Sequence, residues 1–224
     1  MTPKQRRKAL EAFFSDGKYA QFGQKNDLTT ANGAEACTHV CWQALIKLWT
    51  GQDLTIDQVS EVAGYRREDV GMNSRHIDRI IAEFDLPYIA TWRSGMAWTT
   101  ADLVDTVRTM GPAQLAVPYG FYPLDKTLNA VGPNGEAYQG GRNDLSFAGN
   151  HAVLLFGARW RPKRKVYKLR GMDPDHGSRL RPAIPDFDIY TQPQLAQFWN
   201  RNLVGKSYDR FGYVPTEAWE GIPE

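Results

Sequence analysis

The alternation of apolar and polar residues along the chain predicts six amphipathic helices. The clearest segment is CTHVCWQALIKLWTG at residues 37–51, in which apolar side chains recur every three or four positions and so share one helix face. Gly51 follows the last apolar residue, and glycine commonly ends a helix. The same spacing, often preceded by a capping Thr or Asn, predicts further helices over residues 4–14, 55–64, 73–85, 99–111 and 191–203.

Short, mostly apolar runs predict the strands of a sheet. Residues 86–92 and 113–121 are two such runs. HAVLLFGARW (151–160) and KVYKLRGM (165–172) are separated by the turn-like RPKR, and they predict a hairpin. Residues 122–148 are turn-rich and predict a long loop, which in a compact domain is commonly functional.

The order of these elements predicts the fold class. Most helices precede most strands, which favours an α+β protein with N-terminal helices packed on a C-terminal antiparallel sheet. No repeat or low-complexity linker divides the chain. We therefore expect one domain over residues 1–224, with residues 1–23 as an N-terminal helical extension and the Pro/Gly-rich residues 204–224 as a C-terminal tail.

Composition narrows the classes of function. The chain is 42% apolar with a net charge of +2, which excludes a disordered protein. No stretch approaches 18 consecutive apolar residues and the N-terminus lacks the apolar region of a signal peptide, so we expect a protein made in the cytoplasm without a membrane span. The basic run PKQRRK (residues 3–8) precedes an apolar helical segment; we interpret it as a solvated helix face and expect no nucleic-acid partner.

Cys37 is the strongest candidate nucleophile. The apolar stripe of residues 37–51 runs back to Cys37, so its thiol lies at a helix N-terminus and faces the core or a cleft. The dipole and free N–H groups of a helix N-terminus lower the pKa of a thiol and make thiolate available. The alternative is that Cys37 is a small buried apolar residue, as most free cysteines are.

Cys41 and His39 lie close to Cys37 in the sequence. Cys41 continues the apolar stripe, and we interpret it as core packing, although CTHVCW loosely resembles the Cys-x-x-Cys-Trp of papain active sites, whose second cysteine is the nucleophile. A metal site at Cys37, His39 and Cys41 is disfavoured because ligands at i, i+2 and i+4 of a helix do not converge. We expect no metal and no cofactor.

A thiol nucleophile needs a base within hydrogen-bonding reach and a group that orients that base. His151 opens an apolar strand directly after the long loop, where its side chain can lie at the mouth of a cleft. Asp173 follows the second strand of the predicted hairpin, level with or just beyond His151, where an orienting carboxylate belongs. The alternatives are a core or edge histidine at His151 and a turn-forming aspartate at Asp173 in DPDHG.

The order of these residues resembles the papain-like cysteine peptidases over about residues 24–203, and most closely their bacteriocin-leader-processing (double-glycine peptidase-like) branch. The matching segments are CTHVCWQALIKLWTG, TIDQVSEVAG, GPAQLAVPY, HAVLLFG, MDPDHG and LAQFWN. The resemblance implies a papain-like fold and a triad in which Cys37 attacks a carbonyl, His151 moves the proton and Asp173 orients the imidazole.

The chain departs from the family pattern around the nucleophile. The family usually has Cys-Gly-Pro where this chain has CTH, and it usually places a glutamine oxyanion donor about six residues before the cysteine, where this chain has Ala31. Asn32 is adjacent and takes that role in our interpretation, together with the N–H of Cys37; Gln24 is a more distant candidate. Loss of an oxyanion donor costs on the order of 100-fold in rate or more.

These inferences predict a cysteine peptidase or amide hydrolase. The resemblance further suggests bacterial or phage origin and, by analogy, cell-wall peptides (peptidoglycan) as substrate. The alternative is a non-catalytic papain-like component of a phage tail or another assembly, with virion proteins as partners, and the altered residues near Cys37 favour it. We expect the protein to act at the cell wall or within a virion.

Overall fold

A computed structural model describes residues 1–15, 36–66, 69, 71–118, 150–172, 174, 188–200 and 209–223 of the 224-residue chain. Within these ranges the chain forms six α-helices and six β-strands. The helices are α1 (Pro3–Ser15), α2 (Cys37–Thr50), α3 (Ile56–Ala63), α4 (Ser74–Glu83), α5 (Thr100–Thr109) and α6 (Gln192–Trp199). The strands are β1 (Tyr88–Ala90), β2 (Ala113–Pro118), β3 (Asn150–Arg161), β4 (Val166–Met172), β5 (Asp188–Thr191) and β6 (Gly212–Pro215).

Local capping signals set several of the helix ends. Thr55, Asn73 and Thr99 each cap the helix that follows, and each forms a capping box with the residue three positions on. Gly51 and Gly64 end α2 and α3 in the left-handed conformation that suits glycine. These helices therefore begin and end within one or two residues of the predicted positions.

The strands form one antiparallel sheet in the order β1-β6-β2-β3-β4-β5. The long strand β3 is buried on both faces. Ala152, Leu154 and Phe156 pack into a core with α1 to α4, whereas Val153 and Leu155 pack into a second core with α5 and α6. The alternating side chains of β3 thus join two apolar cores through one sheet.

This architecture confirms the predicted α+β class and corrects its details. Helices cover both faces of the sheet, and β1 and β2 come from the helix-rich part of the chain, so the sheet is not confined to the C-terminal part. Residues 212–215, predicted as part of a tail, form β6 between β1 and β2. Residues 188–191 form the edge strand β5, which was not predicted. The predicted loop 122–148 lies outside the described residues.

The helices in the described parts of the chain are too short and too polar to span a bilayer. The predicted strand over residues 86–92 is shorter in the structure, because a 3-10 turn at Thr91–Arg93 follows β1.

Candidate active site

Cys37 is the first residue of α2 and lies where the helix begins without a side-chain cap. The preceding Ala36 has no hydrogen-bonding side chain and therefore gives no side-chain cap to the N-terminal N–H groups of α2. The rest of the helix is fixed in the core, with Val40, Trp42 and Leu45 fully buried. The half-buried thiol of Cys37 is therefore held at a rigid helix end that carries a partial positive charge.

His151 is brought to this helix end by the sheet. It is the second residue of β3, it pairs with Val117 of β2, and it is only 6% exposed. Its side chain forms a hydrogen bond with the Cys37 thiol group. The structure thus joins two residues that stand 114 positions apart in the sequence.

The surroundings of Cys37 favour its thiolate. Burial alone raises the pKa of the Cys37 thiol, but the hydrogen bond and positive charge of His151 oppose this effect. The backbone N–H of Ala152 and the hydroxyl of Thr38 also stabilise negative charge on the sulfur. The result is a Cys37 pKa below its ordinary value, as expected for a thiolate beside an imidazolium.

Two of these contacts were not predicted from the sequence. The Oγ1 of Thr38 lies 4.0 Å from the Cys37 sulfur, and Ala152 contributes through its backbone. Thr38 directly follows Cys37 and Ala152 directly follows His151, so adjacency was the only available signal. Thr38 occupies the position at which the resembling family usually has glycine.

Asp173 and Asn32 both lie outside the described residues, so their predicted roles stay predictions. Gln24 and Ala31 lie there as well. The last described residue of β4 is Met172, which pairs with Leu154. Asp173 therefore follows a strand that is paired with the strand of His151.

The other residues considered near Cys37 have different surroundings. Cys41 is fully buried in the core, as expected from its place on the apolar stripe. His39 is 2% exposed and contacts the edge of Tyr65, with ring centroids 4.6 Å apart. Among the described residues, no three His, Cys, Asp or Glu side chains lie close enough to hold a metal ion.

Comparison with known proteins gives one structural likeness. The fold resembles a crystal structure of a protein from Bacillus anthracis, named provisionally as a C39-like peptidase, with a TM-score of 0.49 and 11% sequence identity. The match covers 83% of this chain and 90% of that one. No family model and no curated protein matches the chain. At this score and identity the likeness transfers no activity to the chain.

Proposed function

We propose that the protein is a cysteine peptidase or amide hydrolase in which Cys37 is the nucleophile and His151 is the general acid and base. The observation that carries this proposal is the hydrogen bond between the Cys37 thiol and the His151 imidazole at the N-terminus of α2. A buried cysteine that only fills space has no need of an imidazole, and its pKa is raised rather than lowered by apolar surroundings.

The steps of amide hydrolysis follow from the Cys37–His151 pair. The Cys37 thiolate attacks the amide carbonyl carbon, and the negative charge moves to the carbonyl oxygen. The imidazolium of His151 gives its proton to the departing amine as the carbon–nitrogen bond breaks, which leaves a thioester on Cys37. His151 then takes a proton from water, which attacks the thioester and releases the carboxylic acid and the thiolate.

The remaining roles are assigned by sequence position and resemblance. Asp173 accepts a hydrogen bond from the second ring nitrogen of His151 and fixes the imidazole orientation. Asn32 and the N–H of Cys37 bind the oxyanion. The substrate class is a peptide, and the resemblance favours bacterial cell-wall peptides.

The test compares hydrolysis of purified peptidoglycan and of a peptide library by four proteins under reducing conditions. These are the wild type, Cys37→Ala, His151→Ala and the matched control Cys41→Ala, which removes the other thiol. We expect the first two substitutions to reduce activity to background and the control to retain it. The double variant Cys37→Ala/His151→Ala should be no worse than either single variant, because the two groups act as one unit.

A labelling experiment separates an unsuitable substrate from an inactive site. Brief exposure to iodoacetamide, followed by mass spectrometry, should modify Cys37 before Cys41, since the pKa of Cys37 is lowered whereas Cys41 is fully buried in the core. Labelling of Cys41 first would contradict the proposal. Rapid Cys37 labelling without hydrolysis of any substrate would favour the non-catalytic component of an assembly, and co-purification with such an assembly would then be the decisive measurement.

A further inference from the structure

The hairpin formed by β3 and β4 carries a dense positive charge. Residues 159–170, RWRPKRKVYKLR, contain seven Lys and Arg and no Asp or Glu. The whole chain has a net charge of +2, so +7 on this stretch leaves −5 for all other residues together. The excess of positive over negative charge is therefore located on this hairpin.

Most of these cations share one face of the sheet. Arg159 pairs directly with Lys168, and Gly157 pairs with Arg170, so the side chains of each pair lie on the same side. Arg161 lies two residues beyond Arg159 and continues the row. Helix α1 packs beside this row and adds Arg7. We call Arg7, Arg159, Arg161, Lys168 and Arg170 the basic face.

A carboxylate, Glu11, pairs with the basic face. Its oxygens lie 2.8 Å from Arg7 and 3.6 Å from Arg170. These side chains, with Arg159, Arg161 and Lys168, line a cavity of about 20 Å³. The buried Nε of Arg161 has no hydrogen-bond partner in the structure. The cavity has room for one oxygen atom beside this donor.

We infer that the basic face binds the sugar–phosphate backbone of a nucleic-acid duplex without sequence preference. Guanidinium groups bind phosphate through paired hydrogen bonds, and a row of cations along a hairpin suits a linear chain of phosphates. A bilayer surface is a poorer fit, because the exposed Trp160 pairs with Tyr167 on the opposite face of the hairpin and the basic face offers no such apolar anchor. Because Trp160 and Tyr167 lie on the opposite face, they cannot serve the basic face as stacking platforms, which disfavours single strands.

This inference of duplex binding differs from the expectation of no nucleic-acid partner, which rested on the basic run at residues 3–8. That run contributes Arg7 to the basic face, whereas Arg6 is buried and binds backbone carbonyls and Glu220. The larger contribution comes from the hairpin, whose cations converge only because the strands pair. The pairing therefore brings together a positive surface that the N-terminal run alone does not form.

The basic face lies far from the candidate active site. Along β3, Gly157, the partner of Arg170, is six residues from His151 and Arg161 is ten, which at about 3.3 Å per residue gives separations of roughly 20 to 33 Å. Binding at the hairpin leaves Cys37 accessible, so the surface would tether the protein to a polymer while the site remains open. Duplex binding and hydrolysis can therefore succeed or fail independently.

The test is fluorescence anisotropy of a labelled 20-base-pair DNA duplex of arbitrary sequence, titrated with full-length protein at several salt concentrations. Arg159→Gln/Arg161→Gln/Lys168→Gln should lose at least tenfold in affinity at about 50 mM salt and reduce the slope of log K against log salt by about 3, one for each lost phosphate contact. The matched control Arg75→Gln/Arg93→Gln/Arg108→Gln removes three positive charges elsewhere and should change affinity by less than about twofold.

Two further arms make the result decisive. Arg159→Lys/Arg161→Lys keeps the charge and should retain binding within about threefold. If the triple variant does not show a wild-type melting transition, the double variant Arg159→Gln/Lys168→Gln replaces it, with an expected slope reduction of about 2. No binding by the wild type at 50 mM salt, equal losses in the control, or binding to phosphatidylserine vesicles in place of the duplex would each overturn the inference.

Discussion

Replacement of His39 should remove a large part of the acid sensitivity of the fold. His39 lies in the first turn of α2, is 2% exposed, and its Nδ1 has no hydrogen-bond partner. Burial, together with the nearby charge of His76, lowers the pKa of His39 to about 4. The native state therefore holds this imidazole in its neutral form at pH values where an unfolded chain protonates it.

The sign and size of the effect follow from linkage. The unfolded pKa is 6.5 and the folded pKa is about 4, so between these values the unfolded state binds more protons and stability falls as pH falls. From pH 7 to pH 5 this single group should reduce the free energy of unfolding by about 2 kcal/mol, with further loss down to about pH 4. Above about pH 7.5 its contribution is constant.

The assay compares urea unfolding of the wild type and His39→Leu at pH 7 and pH 5. Leucine has a similar volume and favours helices, so the pH 7 difference should be small while the variant loses about 2 kcal/mol less than the wild type on acidification. His76, whose charge acts on His39, and the neighbouring Tyr65 and Asp69 are present in both proteins, so the comparison isolates His39 and its coupling to His76. Equal losses in both proteins would refute the reasoning.

Three other outcomes are expected. The alkylation rate of Cys37 should rise with pH through a midpoint below the 9.0 of an ordinary thiol, and a midpoint at or above that value, measured by mass spectrometry, would contradict the thiolate assignment. Gly212→Ala should lower the free energy of unfolding in urea by about 2 kcal/mol or more, because its new Cβ would lie 2.5 Å from the backbone oxygen of Gln114. The control Gly95→Ala, at a φ of +73° with open space around the new Cβ, should lower it by only about 1 kcal/mol. Equal losses in the two variants would rule out the clash. Deletion of residues 209–224 should abolish the cooperative thermal transition, since it removes β6 from within the sheet, and a retained transition would restore the interpretation of this segment as a tail.

The helices were largely predictable because their signals are local. The capping boxes at Thr55, Asn73 and Thr99 and the glycines at 51 and 64 lie within a few residues of the ends that they set. The strands β5 and β6 have no such signal. Each has four residues, too few for a period to be recognised, and β6 is stabilised by pairing with β1 and β2, which lie about 100 or more residues earlier.

In the candidate site, too, the features with a local sequence signal were predictable and those set by long-range packing were not. The position of Cys37 at a helix start could be predicted because the apolar stripe of α2 and its C-terminal Gly51 are adjacent in sequence. The hydrogen bond to His151 could only be inferred from the order of residue types, because it depends on how β3 packs against α2. The contribution of the Ala152 N–H could not be predicted, since a backbone group carries no sequence signal.

The packing of β3 explains why Cys37 on α2 and His151 on β3 stay close to each other. Ala152, Leu154 and Phe156 lie in the same core as the buried face of α2, so the strand and the helix are fixed to each other directly beside the thiol. His151 and Ala152 are consecutive residues of this strand, and one approaches Cys37 through its side chain and the other through its backbone N–H. The core that buries the strand therefore also sets the distance between sulfur and imidazole. A titratable residue can open an otherwise apolar strand because the burial of its neighbours positions it.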